Sequence, residues 1–146
     1  MAVYMTSQLR GYLLSINVDP DAFMDEFRSW KAEWPKREYE SELFGKDGAY
    51  GTPLVDGNAN VLRHAHITPI HPNKRKSWMK RHFRKSRKTS DRHLIYVKDD
   101  GDYLLIYVLE DPDAHEVAKM KTSADRTAMM QFALVAENFI IDCEVP

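Results

Sequence analysis

The first sustained periodicity begins after Asn17, where Phe23, Phe27, Trp30 and Trp34 recur at spacings of four, three and four. That spacing predicts one face of a helix, with Asp25, Glu26, Arg28 and Lys31 lying mostly off it. Asp19 suits the cap, Pro20 suits the first helical position, and Pro35 ends the run. Residues 2–16 mix Val3, Tyr4, Leu9, Leu13 and Leu14 without a clean period and are read as an opening strand. Residues 36–60 read as a connection, because Gly45, Gly48, Gly51, Pro53 and Gly57 interrupt any longer regular element. Residues 61–70 have strand character until Pro69. A basic segment over 71–90 follows, with Trp78, Met79 and Phe83 as candidate anchors of a short helix.

Residues 93–97 and 103–109 are rich in Ile, Val, Leu and Tyr and are separated by Asp99-Asp100-Gly101-Asp102, which predicts a hairpin. Both runs are apolar on both faces, so they belong in the middle of a covered sheet. Asp111-Pro112-Asp113 predicts a turn. A last helix begins near Thr122, capped by that side chain with Asp125 three residues on, and shows Met129, Phe132, Val135 or Ala136, and Phe139 on one face. An early helix, then strands, then a final helix suits an α+β fold, a sheet with an N-terminal and a C-terminal helix packed on it, better than alternating β-α-β units.

The 146 residues suit one domain, residues 1–146, and the 43% hydrophobic and 29% charged content is that of a folded chain. The longest apolar run, 103–109, is far short of the ~20 residues a spanning helix needs, so no membrane association is expected. No secretory pattern opens the chain, and with Cys143 as the one cysteine a reducing cytoplasm is the expected compartment. No phosphate loop, dinucleotide fingerprint or nucleophile elbow is present, so no cofactor is expected. His64 and His66 alternate on one strand face, yet the histidines lack finger or H-E-x-x-H spacing and no metal is expected either.

The net charge of −1 conceals an uneven distribution. Ten of the 21 basic residues (Lys74, Arg75, Lys76, Lys80, Arg81, Arg84, Lys85, Arg87, Lys88 and Arg92) fall within 74–92 beside a single acid, Asp91, leaving 11 basic and 21 acidic residues elsewhere. A dense basic segment on an acidic body is the footprint of a phosphate-binding patch. All six histidines, His64, His66, His71, His82, His93 and His115, lie around or soon after it. RNA can be cut without a cofactor: its 2′-hydroxyl attacks the adjacent phosphate if one group removes the proton, another protonates the leaving oxygen, and cations steady the added charge. Histidine, with an unperturbed pKa of ~6.5, suits the first two tasks, and Arg and Lys suit the third.

Phe44-Gly45-Lys46-Asp47 with Tyr50, then Ala65-His66-Ile67, then Arg87, Thr89, Asp91 and His93-Leu94-Ile95-Tyr96, then Leu104-Leu105-Ile106 and His115, form an ordered series. This series resembles the YafO family of bacterial toxins over about two thirds of the chain. The resemblance implies a type II toxin that cleaves mRNA during translation in association with the ribosome, is restrained by a cognate antitoxin protein, and shares the compact α+β fold of RelE and ParE toxins. It also implies that His115 is the counterpart of a histidine on the last strand of RelE-like toxins, although Glu116 follows here where a basic residue is usual.

Residue by residue, the reading places His66 and His93 as general base and acid in unassigned order. Asp91 orients one of them or the nucleophile, and His115 is a third candidate. Arg87 and Arg92 steady the phosphate, and the remaining cations of 74–88 contact RNA. Two rival readings stand beside it, a non-catalytic nucleic-acid-binding regulator and a ParE-like inhibitor of gyrase.

Overall fold

The computed structural model describes residues 1–36, 38–110 and 113–146. Five strands, β1 (Val3–Met5), β2 (Phe44–Ala49), β3 (Leu62–Ile67), β4 (His93–Asp99) and β5 (Asp102–Leu109), form one sheet in the order β1-β5-β4-β3-β2. The β5-β4-β3-β2 pairings are antiparallel, and β1 joins β5 in parallel. One face is covered by α1 (Ser7–Ser15) and α2 (Pro20–Ala32), the other by α4 (Ala114–Ala118) and α5 (Ser123–Asp142). The α+β expectation, with an early and a final helix on the sheet, holds.

The hairpin lies where the sequence puts it. Asp100 and Gly101 both take positive φ, 49° and 86°, as a tight hairpin turn with the strands' own twist requires. Alternation then divides the sheet: Leu94, Tyr96, Tyr103 and Leu105 face α1 and α2, while Ile95, Val97, Leu104 and Ile106 face α5. Asp19 caps α2, and Phe23, Phe27 and Trp30 bury its apolar face. The helix ends at Ala32, short of Trp34, which is partly exposed and lies over the Lys31 ammonium. Thr122 caps α5 by accepting from the Asp125 amide.

Two further readings are corrected. Residues 2–16 are mostly helical: Thr6 accepts from the Leu9 amide and starts α1 immediately after the short β1, burying Leu9 and Leu13 one turn apart. The supposed connection at 36–60 contains β2, an edge strand in which Gly45 is required by a close approach. A Cβ there would stand 2.4 Å from the Lys88 carbonyl and 2.8 Å from the Trp78 ring. His115 lies beyond the last strand, where Asp113 caps α4 and His115 occupies its first turn. Of the turn expected at 111–113, Asp111 and Pro112 lie outside the described residues. Among the described residues, no helix is long and apolar enough to cross a membrane.

The basic segment does form a helix, α3 (Pro72–Phe83), whose one buried side chain is Trp78. The indole donates to the Glu42 carbonyl at 2.7 Å, and the Lys88 ammonium lies over the ring, 5.7 Å from its centroid. Phe83 is 76% exposed and anchors nothing.

Candidate active site

Strand alternation puts His64 and His66 on the α5 face of β3, and His93 sits directly across from His66 on β4. Toward this end of the sheet the aliphatic core gives way to rings. Tyr50 stacks on His64 at 4.3 Å, His64 on His93 at 4.9 Å, and His93 meets His66 at 4.2 Å and His115 at 4.5 Å. His115 comes from a different element: the Ala114 amide donates to the Asp91 carbonyl at 2.9 Å, which seats α4 over the end of the column.

Ser90, which the sequence did not single out, organises the two central rings. Its amide donates to His66 Nδ1 at 2.8 Å, and its carbonyl faces His93 Nε2 at 3.2 Å. His66 is therefore protonated at Nε2 in its neutral form, and His93 carries its proton on Nε2 and leaves Nδ1 bare. Among the described residues, the buried side-chain polar atoms without a hydrogen-bond partner are Tyr50 OH, His64 Nδ1 and His93 Nδ1, all in this column. Burial pushes His64 and His66 down to about 4 and His93 down to about 2, with the neighbouring imidazoles adding to the last two.

Exposure separates His66 and His93 from His115. His66 and His93 are only 3% and 1% exposed, whereas the His115 side chain is 49% exposed. His66 and His93 are packed in the interior behind His115, and His115 is the histidine of the three that solvent reaches. His115 Nδ1 stands 3.4 Å from Asp113 Oδ1 and 3.7 Å from Asp91 Oδ1. Lys74 donates to Asp91 at 2.9 Å and holds its carboxyl below the usual range. His115, Asp91, Lys74, Arg81, Trp78 and Ser90 line one cleft of about 260 Å³. Among the described residues, two sets of side chains here have metal-ligand reach: His66, His93 and His115, and Asp91, Asp113 and His115.

The basic residues sort by partner. Lys74, Arg75, Lys76, Lys80, Arg84 and Lys85 are exposed on or just after α3. Arg81 donates to the Thr89 hydroxyl at 3.0 Å, and Arg87 is half-exposed, 3.6 Å from Glu38. Lys88 does not face solvent. It is fully buried, its Nζ donates to the Ser41 and Tyr39 carbonyls, and burial lowers it to about 8. Arg92 is largely engaged inside the fold, donating to Glu110 at 2.8 Å, the Tyr12 hydroxyl at 2.8 Å and the Thr68 carbonyl at 3.0 Å. These last two side chains brace the structure around the cleft.

A family model described as toxin YafO, of a type II toxin-antitoxin system, matches residues 28–141. Neither the curated proteins nor the solved structures returned a match.

Proposed function

This chain belongs to the YafO family of type II toxins, and from that premise we propose that it is a ribosome-dependent endoribonuclease that cuts mRNA during translation. As a type II toxin it has a cognate antitoxin as partner. The observation that carries the nuclease reading is the solvent-facing His115, backed by two carboxylates and set beside Lys74 and Arg81 at the foot of a basic helix.

His115 takes the proton of the 2′-hydroxyl. The freed oxygen attacks phosphorus, the bond to the 5′ oxygen breaks, and that oxygen is protonated in turn, leaving a 2′,3′-cyclic phosphate and a 5′-hydroxyl. The imidazolium that forms on His115 can return its proton to the leaving oxygen, so the balance closes on one residue. Asp91 and Asp113 orient the ring, while Lys74 and Arg81 oppose the charge that builds on the phosphate. His66 and His93 act on His115 from beneath and are positioning residues. Arg87 and the exposed cations of α3 hold the RNA backbone, and no metal is needed for these steps.

Primer extension on a reporter mRNA after brief expression, with translating and translation-blocked ribosomes in parallel, tests the reading. Discrete cuts are expected only under translation, and His115→Ala should reduce them by roughly 10²–10⁴-fold. A folded His115→Ala protein that cuts at full rate removes His115 from the mechanism. Intact mRNA alongside arrested growth would transfer the toxin to another target.

A further inference from the structure

We infer that His66, His93 and His115 form a site for one divalent transition-metal ion of the zinc class, and that the ion, once bound, switches the cleft off. A ring nitrogen of each histidine lies within 4.8 Å of a ring nitrogen of the other two. Zinc holds imidazoles at ~2.0–2.1 Å in a tetrahedron, which sets nitrogens ~3.3 Å apart and leaves a fourth position for water. The rings must therefore close in, and the one free to do so is His115, half-exposed on a five-residue helix.

The second, independent observation is His93 Nδ1, buried without a partner at the centre of the column. Its other nitrogen is turned to the Ser90 carbonyl, so the bare lone pair is the one a metal would take. His115 has the same arrangement in another form, with Nδ1 toward Asp113 and Asp91 and Nε2 left over. Acceptors behind the non-ligating nitrogen are the usual outer shell of a metal-bound imidazole. His66 departs from it, because its Nδ1 accepts from the Ser90 amide and the proton sits on Nε2. Coordination through Nε2 moves that proton to Nδ1, and the Ser90 amide must release the ring. Metal binding thus has a built-in local signature.

The donor set is all imidazole, which selects zinc, nickel or copper over magnesium or calcium. The rival set of Asp91, Asp113 and His115 is exposed, and Lys74 already occupies Asp91 with a cation. Zinc on His115 would remove the lone pair that takes the 2′ proton; this inhibitory half of the inference rests on the nuclease reading, and the binding half does not.

Calorimetric titration of the whole chain with zinc chloride, and with magnesium chloride in parallel, reads the binding. One equivalent of zinc should bind with a dissociation constant on the order of micromolar or tighter, and magnesium should not. His115→Ala, at a surface position, should weaken zinc binding at least ~10-fold, while His71→Asn, outside the column, should not alter it. In the wild-type protein, ¹⁵N spectra should show the His93 ring nitrogens and the Ser90 amide shifting on zinc addition. No zinc binding, or binding that leaves the His93 nitrogens unmoved, overturns the site. In a purified translation system zinc should suppress cutting and a zinc-selective chelator should restore it; binding without suppression overturns the switch. Absence of cutting by the metal-free protein would count against the nuclease alone, because binding is read separately.

Discussion

Asp47 ties β2 to α2, β3 and β4 through one carboxylate. Its side chain is fully buried on β2 and accepts from Lys31 and Arg63, each at 2.9 Å, and from the Tyr96 hydroxyl. Lys31 lies over the rings of Trp30 and Trp34, and burial holds its ammonium below the usual range in spite of Asp47. Removing the carboxylate leaves a buried cation without its counter-charge, an arrangement that typically costs about 3–5 kcal/mol. Asp47→Ala should lower the urea midpoint by the equivalent of that loss, and a midpoint within about 0.5 kcal/mol of wild type would show that Lys31 finds another partner. In the sequence Asp47 is one member of the Phe44-Gly45-Lys46-Asp47 run and nothing local gives its role, since its partners lie 16 and 49 positions away. The histidines were legible to the same degree. Their alternation on β3 can be read; which of them faces solvent depends on α4, whose five residues are too few to carry a period.

At the scale of elements, α3 presents the basic surface while being held mainly by Trp78. Its exposed cations repel one another, so the helix persists because it is capped at His71, pinned by the indole and seated against Gly45 and Lys88. Trp78→Ala should cost about 3–5 kcal/mol at this buried site and free the helix locally before the sheet opens. Hydrogen exchange resolved by residue would read this as lost protection in α3 with β4 and β5 unaffected. Lys76, Lys80 and Arg84 can be changed to Gln without touching that anchor. For a single-stranded RNA oligonucleotide, the change should make the salt dependence shallower by about two in log–log slope, at ~0.7 per phosphate contact. An unchanged slope would place the RNA elsewhere. The hairpin, α2, α3 and α5 were readable because each carries its own periodicity and punctuation. Strand β2 and helix α1 were not: β2 uses glycine for a close approach, as a loop would use it for a turn, and in α1 only Leu9 and Leu13 are buried, too few for a period.

Across the whole molecule, the sheet carries an aliphatic core over most of its α5 face and replaces it with imidazoles at one end. These rings are packed as core residues, so the fold depends on their staying neutral. In the unfolded chain each takes a proton near pH ~6.5. In the folded protein His64 and His66 resist protonation until about 4 and His93 until about 2, because burial disfavours the charged ring. Their folded values are depressed, so the unfolded chain binds more protons throughout the interval between. Stability is then complete above pH ~6.5 and is lost as the pH falls. With two to three protons taken up on unfolding, the loss is about 3 kcal/mol between about pH 6 and pH 5, a large fraction of the ~5–15 kcal/mol that holds a domain folded. Urea midpoints at pH 7, 6 and 5 should fall steeply over the last step, and His93→Leu should shallow the fall by removing one proton from the difference. A wild-type midpoint level from pH 6 to pH 5 would mean that the column accepts protons without opening, and that its burial does not govern the acid stability of the fold.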